Sequence, residues 1–199
     1  MPTRSTVPAT ATRRKGFRVY IRAPRISDAP AFLAAIVASR SLHRGWVQPP
    51  ATPARFGTYL TRFAGPKSRD PVSVTHAGFL VCRFDDHAPV GVFNLSEIVR
   101  GSFQSAYLGY YGFAAHGGEG YMRDGLNLVL ETAFRSLKLH RIEANIQLAN
   151  TRSIALVRNA GFTREGFSRR YIKIAGRWRD HERWAILAED WRTLRSMAR

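Results

Sequence analysis

Residues 107–137 read YLGYYGFAAHGGEGYMRDGLNLVLETAFRSL, and the division of this stretch decides the fold. An aromatic run with Tyr107, Leu108, Tyr110 and Tyr111 reads as a strand. A loop of small residues follows, Ala114-Ala115-His116-Gly117-Gly118-Glu119-Gly120. Met122, Leu126, Val129, Leu130, Ala133 and Leu137 then recur at the i, i+3/i+4, i+7 spacing of a buried helical face. Strand, glycine loop and helix N-terminus together form a device for holding phosphates. Glycines let the backbone approach closely, and the first-turn N–H groups and helix dipole favour negative charge. The Walker pattern needs Lys and then Ser/Thr after the last glycine, where this chain has Tyr121 and Met122. The Rossmann pattern needs a different glycine spacing. Taken alone, the loop is equally compatible with a turn that only lets strand and helix pack.

The residues downstream narrow the reading. Residues 140–148 place apolar side chains at every second position, as a strand does. Residues 150–162 read as a short helix capped by Asn150 and closed by Gly161. The glycine loop and its helix, followed by a strand and a helix with Asn150, Ser153, Val157, Gly161 and Phe162, resemble the acetyl-CoA half-site of the GNAT superfamily of N-acetyltransferases. The resemblance extends over residues 17–191. It implies an α/β fold with a twisted mixed sheet of about seven strands flanked by helices. That sheet would be splayed between its fourth and fifth strands, with the pantetheine arm of acetyl-CoA in the gap. Residues 99–103, 107–110, 140–145 and 178–181 further resemble the RimJ branch, the ribosomal-protein alanine N-acetyltransferases. Trp178-Arg179-Asp180-His181 is the most distinctive of these segments.

The rest of the chain fits one domain, expected over residues 16–192, between a flexible basic tail at 1–15 and a basic C-terminal tail at 193–199. A strand over 17–22 is followed by a helix from Ser27 or Asp28 to about 40 and a second helix over about 52–64. Strands are expected over 73–84, 90–99 and 103–111. After the helix closed by Gly161 come strands at 162–174 and 178–187, joined by an Ala175-Gly176 turn, then a short helix capped by Asp190.

Composition sets the class. The chain has 199 residues, 45% of them apolar, without an apolar run long enough for a membrane span or a signal sequence. A soluble cytoplasmic protein is expected. A lone cysteine, Cys82, excludes an internal disulfide and reads as a core residue in a strand. No metal site is expected. The formal net charge is +17, with no acidic residue before Asp28. Such a field attracts polyanions, so contact with RNA or the ribosome is one expectation and a solvated basic surface the other.

The resemblance implies roles for individual residues. Backbone N–H groups of Gly118, Glu119, Gly120, Tyr121 and Met122 would hold the diphosphate of acetyl-CoA. The superfamily usually has Gln or Arg at the first loop position, and here it is Ala115. Arg123, Arg152 or Arg158 could meet the terminal phosphates, or sit exposed in solvent. A backbone N–H near Tyr110 or Tyr111 would polarise the acetyl carbonyl; both rings are also plausible core aromatics. Asn150 would cap its helix and contact the pantetheine arm. The tyrosine that many relatives use to protonate the thiolate is missing, and Ser153 would take that role. Asp180 ranks first among carboxylates as a base, ahead of Glu97 and Glu165, with hairpin orientation as its alternative role. Trp46 and His181 would border the acceptor, with an ordinary core tryptophan as the equal alternative for Trp46. The implied acceptor is a protein N-terminus, and the RimJ branch points to that of a ribosomal protein. A small amine is the alternative, as is a non-catalytic RNA-binding protein on the same fold.

Overall fold

The computed structural model describes residues 18–63 and 73–197. The expected tail at residues 1–15 lies outside the described residues. The strands are β1 (Val19–Arg22), β2 (Ala77–Arg83), β3 (Pro89–Val99), β4 (Ser105–Gly112), β5 (Arg141–Ile146), β6 (Thr163–Ile174) and β7 (Arg177–Leu187). The helices are α1 (Ala29–Ala38), α2 (Arg40–His43), α3 (Pro53–Phe63), α4 (Tyr121–Glu131), α5 (Thr151–Asn159) and α6 (Ala188–Met197). The strands form one sheet in the order β1-β2-β3-β4-β5-β7-β6. All neighbours are antiparallel except β4 and β5, whose parallel pairing requires the crossover that α4 provides.

Alternation along β2 explains why the sheet carries a core on each face. Phe79 and Val81 point to one side, with Phe93, Leu126, Val129, Leu130, Ile142 and Trp184. Leu80 and Cys82 point to the other, with Phe32, Ile36, Phe56, Tyr59 and Phe113. Each fully buried side chain of this size contributes roughly 1.5–3 kcal/mol by leaving water. Cys82 is a buried free cysteine, packed as its place in an alternating strand foretold.

Three elements differ from expectation. The helix expected to run unbroken to about residue 40 is divided at Ser39, whose Oγ donates to Ala35 O at 2.7 Å. A 3-10 turn (Ile26–Asp28) also precedes it. The helix after the glycine loop stops being α-helical at Glu131 and ends in a π turn over Thr132–Ser136. The third is α6, which begins at Ala188 and runs to Met197, so Asp190 lies in its first turn and residues 193–197 are helix rather than tail. Trp191 explains this: it is buried, 5.4 Å from the Phe134 ring, with the Arg195 guanidinium over its face.

No helix among the described residues is long and apolar enough to cross a membrane.

Candidate active site

The parallel pair β4–β5 is joined only at Ser105, Ala106 and Tyr107, opposite Arg141, Ile142 and Glu143. Beyond that point each strand keeps its outer neighbour. Residues 108–112 of β4 stay paired to β3, and Ala144, Asn145 and Ile146 stay paired to β7. Between them the sheet is open. Phe113 N–H donates to Val90 O at 2.9 Å. Alternate N–H groups of a strand point to opposite edges, so those of Leu108, Tyr110 and Gly112 face the gap.

The gap is spanned on both faces. On one, Tyr110 O–H donates to Ser153 O on α5 at 3.1 Å. Burial pushes this phenol's pKa upward, so it remains a donor. On the other face, the chain following α2 crosses from β4 to the end of β5. His43 is buried; its Nε2 lies 2.8 Å from Gly112 O and its ring meets Tyr111 edge-on at 5.4 Å. Two residues later, Gly45 O accepts from Gln147 Nε2 at 2.9 Å. Trp46 N–H donates to His43 O at 3.0 Å, which keeps the half-buried Trp46 in this crossing. Burial also raises the Tyr111 phenol, whose oxygen has no partner among the described residues.

The glycine loop lies beyond the end of β4, on the side to which the gap opens. Gly117 N–H closes a 3-10 turn on Ala114 O, and Arg123 and Asp124 N–H both donate to Gly120 O. Between them, the N–H groups of Gly118, Glu119, Gly120, Tyr121 and Met122 make no hydrogen bond among the described residues. Those of Tyr121 and Met122 open a helix and have no intrahelical acceptor. Gly118 and Gly120 have φ of +86° and +80°, the left-handed region that glycine enters without strain. A side chain at Gly118 would meet no heavy atom within 4 Å, so the loop faces open space. Five unused donors beside an open gap suit a diphosphate carrying a narrow arm.

At the start of α5, Asn150 Oδ1 accepts from Ser153 N–H at 3.2 Å, the cap that the sequence pointed to. Ser153 Oγ has no partner among the described residues. Arg158 is exposed in the last turn of α5.

The hairpin residues stand differently. Asp180 is exposed, and its Oδ1 accepts from Arg170 N–H at 2.7 Å. That bond holds the irregular stretch between Ser168 and Ile172, where Arg170 has a φ of +47°. His181 is 2% exposed, with Nδ1 2.9 Å from Arg179 O, and burial lowers its pKa. The other two carboxylates are also engaged. Glu97 lies 3.3 Å from Arg62 and 3.4 Å from His76, and Glu165 is paired with Arg141.

Sequence reasoning missed Ser39, His43, Gln147 and Arg18 around this site. Ser39 and His43 did carry a signal: two polar residues four apart, both fully buried, continuing the inward face of α1. Ser39 Oγ accepts from Ala114 N–H at 2.8 Å and fixes the entry of the glycine loop.

Comparison with known proteins gives the same direction. Residues 18–163 match the family model described as "Acetyltransferase (GNAT) domain". Over 105 residues, 53% of this chain and 58% of the relative, the sequence is 43% identical to a probable N-acetyltransferase, YjcK, of Bacillus subtilis. It is 39% identical over 107 residues, 54% of this chain and 55% of the relative, to the [ribosomal protein uS5]-alanine N-acetyltransferase of Escherichia coli. A spermidine N(1)-acetyltransferase of Vibrio cholerae matches at 33% over 72 residues, 36% of this chain and 42% of the relative. The chain thus spans about half the length of the curated relatives it matches. The structure of Mycobacterium smegmatis RimJ in complex with CoA-disulfide superposes with a TM-score of 0.79 at 26% identity, covering 91% of this chain and 90% of that one. The family model covers well over half of the sequence, and the fold superposes on that of RimJ: this chain belongs to the GNAT acetyltransferase family.

Proposed function

We propose that the protein is an acetyl-CoA-dependent N-acetyltransferase that modifies the N-terminal α-amino group of a protein. The observation that carries this reading is the gap between β4 and β5 with five unused N–H groups on the side to which it opens. Acetyl-CoA, when bound, supplies an activated acetyl thioester. The chain's own residues do the rest. N–H groups of residues 118–122 hold the diphosphate. Tyr110 N–H, directed into the gap, donates to the thioester carbonyl oxygen as charge gathers there, an effect of large size in acyl transfer. Ser153 Oγ–H, without a partner among the described residues, would donate a hydrogen bond to the departing sulfur. A thiolate with a pKa near ~8.5 needs no stronger acid.

The acceptor assignment rests on the acidity of the amine. Among the described residues, Asp180, Glu97 and Glu165 each have a partner. An α-amino group, with a pKa of about 7.7–8.0, is substantially neutral near pH 8 without help. A lysine or polyamine nitrogen, near ~10.4, is not. The similarity to the uS5-alanine acetyltransferase favours the same class. Because the amine deprotonates in bulk water, kcat/KM for the peptide should rise with pH to a plateau near about 9.

The test is acceptor profiling by mass spectrometry with acetyl-CoA. We expect peptides with a free N-terminal alanine to be acetylated at the α-amine, roughly tenfold or more faster than spermidine. Turnover of spermidine with none of peptides would overturn the acceptor assignment. The net charge of +17 favours encounter with a ribosomal target carrying RNA.

A further inference from the structure

The loop that opens α4 has two features that work against an anion. Ala115 stands where the superfamily usually has Gln or Arg, and Asp124 puts a carboxylate in the first turn of the helix. That carboxylate is largely buried, with its side chain 11% exposed. Unopposed, it would repel a diphosphate at the helix N-terminus.

A guanidinium from the other end of the domain offsets it. Arg18, one residue before β1, donates from Nε and Nη2 to Asp124 Oδ2 at 3.2 and 3.1 Å. Its Nη2 also donates to Glu119 O at 2.8 Å. The guanidinium lies over the Tyr121 ring, 4.7 Å from its centroid, and that of Arg83 lies 5.8 Å from the same ring. Arg123, the other cation nearby, reaches Asp124 only at 4.0 Å.

The peptide bond converts this into geometry. A trans peptide points its C=O and the following N–H in opposite directions. Fixing Glu119 O on Arg18 therefore turns Gly120 N–H away from Arg18. The same closeness explains the glycine: a Cβ at position 120 would sit 3.1 Å from Arg18 Nη2, on a backbone already at φ +80°.

We infer that Arg18 is the positioning residue of the diphosphate loop, cancelling Asp124 and fixing the Glu119–Gly120 peptide so that the loop N–H groups face the cofactor. This rests on the acetyl-CoA reading above. Arg18 acts through Asp124 and the backbone, so removing the carboxylate should lift most of the need for the cation.

Calorimetry with CoA on the native protein, Arg18→Met, Asp124→Asn and the double variant tests this. Native protein should bind CoA. Arg18→Met should weaken binding about tenfold, equivalent to ~1.4 kcal/mol. The double variant should return to within about threefold of native, equivalent to ~0.7 kcal/mol. Arg18→Lys, which keeps the charge and loses the fork, should fall between. Thermal unfolding of each variant separates lost folding from lost affinity, and Arg18→Lys carries the test if Arg18→Met does not fold. Native affinity in Arg18→Met would overturn the inference. So would a double variant as weak as Arg18→Met, because cancelling Asp124 would then not be what Arg18 does for binding. Failure of the native protein to bind CoA would instead remove the cofactor reading itself, and this inference with it.

Discussion

Ser153 divides its backbone and side chain between different tasks. Its N–H goes to the Asn150 cap and its carbonyl receives the Tyr110 hydroxyl, while Oγ has no partner among the described residues. Truncation therefore removes nothing the fold uses. Ser153→Ala should lower kcat about a hundredfold, the lower end of the range for acid catalysis. KM for acetyl-CoA and the melting temperature should stay near native. Steady-state kinetics beside thermal unfolding check this; a lower melting temperature with unchanged kcat would make Ser153 a structural residue only. Ser153 and Asn150 were legible because a cap and its helix are neighbours in sequence. Arg18 and His43 were not, because their partners lie 106 and 69 residues away and local patterns carry no record of such pairs. Asp180 was legible from its segment and not from a pairing pattern. Its place in a distinctive segment suggested chemistry or hairpin orientation, and its Oδ1 accepts from the Arg170 N–H within its own hairpin.

At the level of elements, the gap is a tension between two sheet halves that would otherwise zip together. Tyr110 and the His43–Gln147 crossing set its width from opposite faces. Tyr110→Phe removes a buried hydroxyl and leaves Ser153 O without that donor. The cost should be about 1 kcal/mol of stability, the usual net value of such a bond. KM for acetyl-CoA should rise as α5 loosens from β4. Urea unfolding and initial-rate kinetics give the two numbers; native values for both would show that α5 is held by packing alone. The strands and α4 were readable from alternation and from the 3.6-residue period, since each has one consistently apolar face. The break at Ser39, the π turn after Glu131 and the full length of α6 were not readable. They arise where a side chain competes for helix carbonyls or where an aromatic such as Trp191 docks onto a distant core.

Over the whole molecule, charge and topology have separate consequences. Among the described residues, acidic side chains such as Asp28, Asp86, Asp124, Glu143 and Glu165 are committed to arginines. The surplus of cations therefore stays on the surface, where it governs encounter with anionic partners and not the fold. Topology makes the site. One parallel pair in an otherwise antiparallel sheet requires a crossover, and that crossover helix brings its N-terminus to the side where the pair parts. The most direct test is a crystal structure of the protein with CoA. The diphosphate oxygens should lie within about 3 Å of the N–H groups of residues 118–122. The pantetheine arm should run between residues 108–112 and residues 144–146. CoA bound away from the loop, or β4 and β5 hydrogen-bonded past Tyr107 and Glu143 so that no channel exists, would contradict the account.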